Sequence, residues 1–276
     1  MILTVLHKTR YVFAAPVGGI VQSLRMTPAK SDSQRVLDWS IEVPGAVLGT
    51  PLRDGAGDIL QTASVRARSE QIEVTVRGTV ETTDTAGILR GHRERVPPRA
   101  YLRGTIRTEP NRAIIDLVDA TLSALPDATA LERAHALSAA VSEALPYTPG
   151  STDAHTTAAD AMTAGKGVCQ DHAQVLIACA HLAGLPARYV SGYLNATEDG
   201  SPHEASHAWA EIFIDGLGWV GFDAANKCCP NDQYIRLGSG FDAQDAAPIR
   251  GLVLGGSEED LDVTVKIAAQ EQRQQQ

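Results

Sequence analysis

Residues 165–186 read GKGVCQDHAQVLIACAHLAGLP: two glycines, a cysteine, and then a segment that is apolar almost all round. Ala173, Leu176, Ala180 and Ala183 form one row at helical spacing, and Val175, Cys179 and Leu182 form another, so the helix is expected to be buried on most of its circumference. Gly184 supplies a left-handed C-terminal residue and Pro186 forbids continuation, which predicts a helix from about Val168 to Ala183. Cys179, in mid-helix, belongs to that core. Cys169 falls instead on the first turn, where free N–H groups and the positive end of the helix dipole favour a thiolate. Gly165 and Gly167 allow another backbone or a substrate to come close, and the Cys169 N–H faces the place where a tetrahedral oxyanion would form.

A nucleophilic cysteine needs a histidine within hydrogen-bond reach and a third group to orient that histidine. Eight histidines compete. His7 lies in an alternating N-terminal segment, His92 in a connector, His135 on a predicted helix and His155 in a loop, while His172 and His181 share the cysteine's own helix. His207 is set apart by its sequence neighbours. SHAWAEIFIDGLGWVGFDAAN (206–226) reads as a β-hairpin with a turn at Asp215 to Gly218. With the turn centred near Asp215, His207 and Asp223 stand almost directly across the two strands, about 5 Å apart, and a register slip of one residue turns them to opposite faces. A metal site built from His203, His207, Cys228 and Cys229 is the weaker alternative, because adjacent cysteines make awkward tetrahedral ligands.

The rest of the chain reads outward from this block. From Met1 to about Val80, ILTVLHKTRYVF, RVLDWSIEV, ILQTASVRA and EQIEVTVRGTVET alternate in the manner of strands, giving an all-β module of sandwich type over residues 1–88. Residues 89–110, with the run GHRERVPPR, form a connector whose charges are expected to be solvated. Helical spacing resumes at Asn111 and again after Asp127, which is read as a helix start; ARYVSGYL, SHAWAEIFI, GWVGFDA and LDVTVKIA are further strands. A core over 111–268 and a disordered polar tail over 269–276 complete the expected organisation. The fold class is α+β.

The chain of 276 residues has 24 Lys+Arg and 33 Asp+Glu, a net charge of -9, which argues against nucleic acid as a partner. No stretch has the uninterrupted apolar length of a membrane span, so a cytoplasmic protein without a membrane partner is expected. Four cysteines are too few to staple a chain this long. A homo-oligomer is compatible with the composition.

GVCQDHAQVLIACAHLAGLPARYVSGYL together with SHAWAEIFIDGLGWVGFDAAN resembles the bacterial transglutaminase-like superfamily of cysteine peptidase-like proteins. HKTRYVFAAPV and QRVLDWSIEVPG resemble the β-region that precedes this core in one bacterial branch, and PIRG (248–251) with LDVTVKIA resembles that branch's C-terminal segment. The resemblance implies a papain-like α+β core in which helices pack on an antiparallel sheet. It implies Cys169 as nucleophile, His207 as general base and then acid, and Asp223 as the orienting carboxylate, with no metal and no cofactor. It further implies a peptide or protein substrate whose amide is cleaved through a thioester; transfer of the acyl group to an amine, or a silent binding role, are the alternatives. The Cys169 N–H is the expected oxyanion donor, with Gln170 and Tyr147 as candidates for the second, and Trp209 is expected beside the site. Two features depart from the branch: His172, where an apolar residue is expected, and the Cys228–Cys229 pair.

Overall fold

The structure is a computed structural model that describes residues 1–195, 206–255 and 258–269. In chain order the strands are β1 (Ile2–Val17), β2 (Gly19–Thr27), β3 (Gln34–Glu42), β4 (Val47–Leu48), β5 (Leu52–Arg53), β6 (Ile59–Val65), β7 (Ser69–Thr82), β8 (Ala187–Leu194), β9 (Ser206–Ile214), β10 (Gly218–Phe222), β11 (Tyr234–Gly240), β12 (Ile249–Leu254) and β13 (Glu259–Ala269). The α-helices are α1 (Arg112–Ser123), α2 (Ala130–Ala144), α3 (Ala158–Ala164) and α4 (Cys169–Leu182). The strands form three antiparallel sheets, in the orders β13-β1-β7-β3, β12-β2-β6-β4 with β5 beside β6, and β10-β9-β8-β11.

The alternating pattern of the N-terminal strands is borne by burial. Leu3 and Val5 of β1 and Val74, Val76 and Val80 of β7 point inward, while Leu24 and Met26 of β2 and Ala63 and Val65 of β6 do the same from the second sheet. One cluster, including Phe13, Ile20, Leu24, Met26, Val65 and Val74, draws on both sheets. The strand expected at the end of the core, LDVTVKIA, is hydrogen-bonded here instead: β13 pairs with β1 along Leu3–Phe13, and β12, a strand not foreseen in the sequence, pairs with β2. Edge strands need a partner for their free N–H and C=O groups, and the returning chain supplies it. The tail beyond residue 269 lies outside the described residues.

The third sheet carries the core. α4 lies against β9 and β8, with α1, α2 and α3 around it, and every residue from Asp171 to Ala180 is buried. Helical spacing is therefore a sound guide to α4, whose observed ends lie within one residue of expectation. The start of α2 is not at Asp127: Thr129 caps it, accepting from the Glu132 N–H while Glu132 accepts from the Thr129 N–H at 2.8 Å, a reciprocal capping box. β11 and β2 have no clear signature in the sequence because YIRLGSG and GIVQSLRMT mix glycine, serine and arginine into the strand.

The connector is not merely solvated. Its Glu94 accepts from Arg188 Nη1 and Trp219 Nε1, both at 2.8 Å, and His92 Nε2 lies 2.7 Å from the Ala56 carbonyl. These belong to a buried ionic network between the N-terminal sheets and the core sheet. Arg188 of β8 and Arg236 of β11 both bond Glu211 of β9, at 2.7 and 2.9 Å, and Arg236 reaches Asp58 at 2.6 Å. Asp58 also accepts from the Ser239 N–H and hydroxyl. Fully buried charges persist only when paired and hydrogen-bonded in this way, and the pairing holds Asp58 and Glu211 below the usual carboxylate range although burial pushes them up. An apolar cluster of Leu3, Val5, Val80, Tyr193, Ile235 and Leu237 joins the same surfaces beside it, and His7 spans them with Nδ1 2.8 Å from the Tyr193 hydroxyl.

Candidate active site

The turn before α4 is built for a close approach. Gly165 ends α3 with φ 64°, and at Gly167 a Cβ would stand 2.7 Å from that of Asp171. Asp171, wholly buried, accepts from the Val168 N–H at 2.8 Å and the Thr152 hydroxyl at 2.6 Å, which places a carboxylate in the first turn of the helix. Cys169 is therefore the first helical residue, half-buried, with an N–H that has no partner within the helix.

The residues after the thiol act as anchors for the preceding loop. Gln170 Nε2 donates to the Asp153 carbonyl at 3.2 Å and Gln174 Nε2 to that of Thr156 at 3.0 Å. His172 has Nδ1 2.8 Å from the Val168 carbonyl and Nε2 2.7 Å from the Leu145 carbonyl. It is thus a buried tether for the loop and the helix start. The Gln170 amide, a candidate oxyanion donor by sequence, is engaged with Asp153. Tyr147 lies near the site: burial first, then the charges of Cys169 and Asp223, raise its hydroxyl pKa.

His207 stands on β9, 2 % exposed, opposite Gly192 of β8. The missing side chain at Gly192 leaves room for the Trp209 ring, whose edge would come within 2.5 Å of a Cβ there. Trp209 stacks on His207 with centroids 6.3 Å apart and is buried. Beyond the hairpin, Phe222 pairs with Ala210, so Asp223 is level with Trp209 and diagonal to His207. The displacement is two residues, which preserves the face. His207 Nε2 and Asp223 Oδ2 are 2.5 Å apart, both side chains 1 % exposed.

The carboxylate is held by more than the histidine. Asn226 donates to it through its backbone N–H at 3.2 Å and its amide at 2.8 Å, and the Tyr234 hydroxyl donates at 2.8 Å. Neither residue is evident from the sequence as part of the site, although an asparagine three residues after an aspartate is a turn signal. Tyr234 arrives on β11, eleven residues on. Burial opposes charge on both partners, but their attraction wins: Asp223, then Cys169, raises His207 to about 10, and His207 holds Asp223 below the ordinary carboxylate range. With Nε2 committed to Asp223, Nδ1 is the nitrogen available to the thiol.

Cys169 and His207 line one cavity of about 480 Å³. Cys228 turns instead to the Tyr234 hydroxyl, 3.3 Å away, and Cys229 packs on the helical core. His203, of the metal alternative, lies outside the described residues; among the described residues no group of three or more His, Cys, Asp or Glu is placed to hold a metal. Cys179, fully buried, has its thiol pKa pushed up to about 12 by desolvation.

Sequence profiles of known families agree with this architecture. The Transglutaminase-like superfamily matches residues 117–224 and the Bacterial transglutaminase-like N-terminal region matches residues 3–81. An uncharacterized protein of Mycobacterium leprae is 29% identical over 96% of this chain and 98% of its own, and one of Mycobacterium tuberculosis is 30% identical over 95% and 91%. A crystal structure of a "putative cysteine protease" from Cytophaga hutchinsonii superposes with a TM-score of 0.74 at 21% identity, covering 97% of this chain and 90% of that one. The chain belongs to the transglutaminase-like superfamily, and it has that family's fold.

Proposed function

We propose that the protein is a thiol-dependent hydrolase of amide bonds in peptide or protein substrates, working through Cys169, His207 and Asp223. The observation that carries this reading is the buried His207–Asp223 pair, which stabilises the charge that the imidazole takes on beside the Cys169 thiol, at a helix start that lines a cavity. In the proposed cycle His207 takes the thiol proton of Cys169 as the sulfur attacks the substrate carbonyl, and the oxyanion is met by the Cys169 N–H. His207 gives its proton to the leaving amine as the C–N bond breaks, leaving a thioester on Cys169. His207 then takes a proton from water, the hydroxide attacks the thioester, and the thiol is regenerated as the acid departs. Asp223 keeps the ring in one orientation and offsets its positive charge throughout. We read the two N-terminal sheets as a sandwich-like module that braces the core sheet through Arg188 and Arg236.

The same thioester serves a transferase, so the test separates the acceptors. Glutamine-bearing peptides are incubated with a labelled primary amine and analysed by mass spectrometry. Cleavage or deamidation without amine incorporation, absent in Cys169→Ala, is the expected result. Incorporation of the amine in preference to water would replace hydrolysis by transfer, and turnover that persists in Cys169→Ala would overturn the site itself.

A further inference from the structure

The cavity before Cys169 carries a charge that the proposed cycle does not use. Arg107 lines it together with Cys169 and His207, and none of its described lining residues is Asp or Glu, although the chain has 33 acidic residues against 24 basic ones. The acidic residues adjoining the lining in sequence are engaged elsewhere. Asp153 accepts from the His155 and Thr156 N–H groups at 2.7 and 3.1 Å. Asp245 faces Arg250 at 3.3 Å and accepts from the Phe241 N–H, and Asp242 accepts from the Asp245 N–H.

Among the described residues, Arg107 donates only to neutral oxygens. Its Nη1 donates to the Ala154 carbonyl at 2.8 Å and its Nε to Gln244 Oε1 at 3.4 Å, and among the described residues no carboxylate lies within ion-pair distance of it. Those two bonds fix the plane of a group with five N–H donors and leave others for a guest. The fork of a guanidinium matches a carboxylate, and a half-buried cation with no carboxylate partner among the described residues focuses its field, in a concave site, on an incoming anion.

We propose that Arg107 binds a carboxylate of the substrate, so that the site selects peptides with an acidic side chain or a free C-terminal carboxylate close to the amide that is cut. The proposal rests on the reading of Cys169 as the nucleophile of an amide hydrolase.

Three chloroacetyl probes of equal size test it: chloroacetyl-glutamine amide, which is neutral; chloroacetyl-glutamate amide, with a side-chain carboxylate; and chloroacetyl-glutamine, with a terminal one. Each alkylates an accessible thiol, sulfur displacing chloride, and the rate at Cys169 is followed by peptide mapping at low salt. At least one anionic probe is expected to react about tenfold faster than the neutral one, the worth of one hydrogen bond to a charged group. The faster of the two anionic probes identifies the source of the carboxylate. Arg107→Gln is expected to abolish the preference and Arg107→Lys to keep part of it. Equal rates for all three probes on the wild-type protein, or a preference undiminished in Arg107→Gln, would overturn the proposal. Failure of the hydrolase reading shows separately, as a neutral-probe rate at Cys169 that does not change in His207→Ala.

Discussion

Tyr234 and His207 meet on one oxygen. The hydroxyl of the first and Nε2 of the second both approach Asp223 Oδ2, at 2.8 and 2.5 Å. The tyrosine comes from β11 and the histidine from β9, on either side of β8, so the carboxylate after β10 is clamped by residues from across the core sheet. A buried carboxylate is costly unless its lone pairs are satisfied, and this one is satisfied largely by groups that also define its direction.

Tyr234→Phe removes one donor and keeps the ring, which packs edge-on to Trp209 at 5.5 Å. Tyr234 helps to hold the Asp223 pKa down, so the variant is expected to shift the acid limb of the kcat/KM profile to higher pH. A loss of about tenfold at neutral pH should accompany the shift, as for one hydrogen bond to a charged group. An unchanged acid limb would mean that the hydroxyl does not act on the carboxylate.

Iodoacetamide should modify Cys169 at neutral pH far faster than Cys179, whose thiol is fully buried with its pKa pushed up to about 12. His207→Ala is expected to slow labelling at Cys169 and leave Cys179 unaffected, read by tryptic mapping against time. Equal labelling of the two thiols in the folded protein would remove Cys169 as nucleophile.

The His207–Asp223 pair should also mark the pH dependence of stability. His207 is raised from its ordinary 6.5 to about 10, so its contribution is complete below 6.5 and is lost as pH rises through about 10. Asp223 is depressed, so its contribution is present above the ordinary carboxylate range and is lost as pH falls through its folded value. The stability difference between wild type and His207→Gln, measured by urea unfolding, is expected to be largest between the ordinary carboxylate range and pH 6.5, at about 3 kcal/mol, and to shrink from there towards pH 10. A difference that is flat from neutral pH to pH 10 would contradict the pair.

Arg236→Met leaves Asp58 and Glu211 short of a buried partner, although Arg188 still reaches Glu211. A loss of about 3 kcal/mol in urea unfolding is expected, and Asp58→Asn in the same chain should recover part of it. Strict additivity of the two substitutions would show that they do not communicate.

Gly192→Ala places a Cβ 2.2 Å from the Ile235 carbonyl and 2.5 Å from the Trp209 ring, directly across from His207. Neither neighbour is the loose end of a flexible chain, so the sheet or the ring must shift, at about 1–3 kcal/mol. Cys169 labelling is expected to slow in step with the loss of stability. Full stability with wild-type labelling would show that the gap behind His207 is dispensable.

Much of the candidate site is legible in the sequence because its parts depend on local periodicity. GKGVCQDHAQV puts a thiol on a helix start, and SHAWAEIFIDGLGWVGFD makes a hairpin whose period of two keeps His207 and Asp223 on one face even though the turn lies one residue later than its expected centre. What is illegible involves partners remote in the chain. Asp171 and Gln174 look like ordinary helix residues until Thr152 and Thr156 are brought beneath them. The charges of GHRERVPPR look solvated until Arg188 and Trp219 enclose Glu94.

The sequence alone determined the buried helix beginning at Cys169, the hairpin of His207 and Asp223, and the alternating strands before them, because helix and strand periods are local properties of a chain. Only the tertiary structure decided that Tyr234 and Asn226 complete the carboxylate's hydrogen bonds, that β12 and β13 return to the N-terminal sheets, and that Arg107 faces the thiol's cavity without a carboxylate partner among the described residues. Those relationships join segments tens to hundreds of residues apart. They are set by which surfaces must be covered and which buried charges must be paired when the sheets and helices come together, and no local period encodes that.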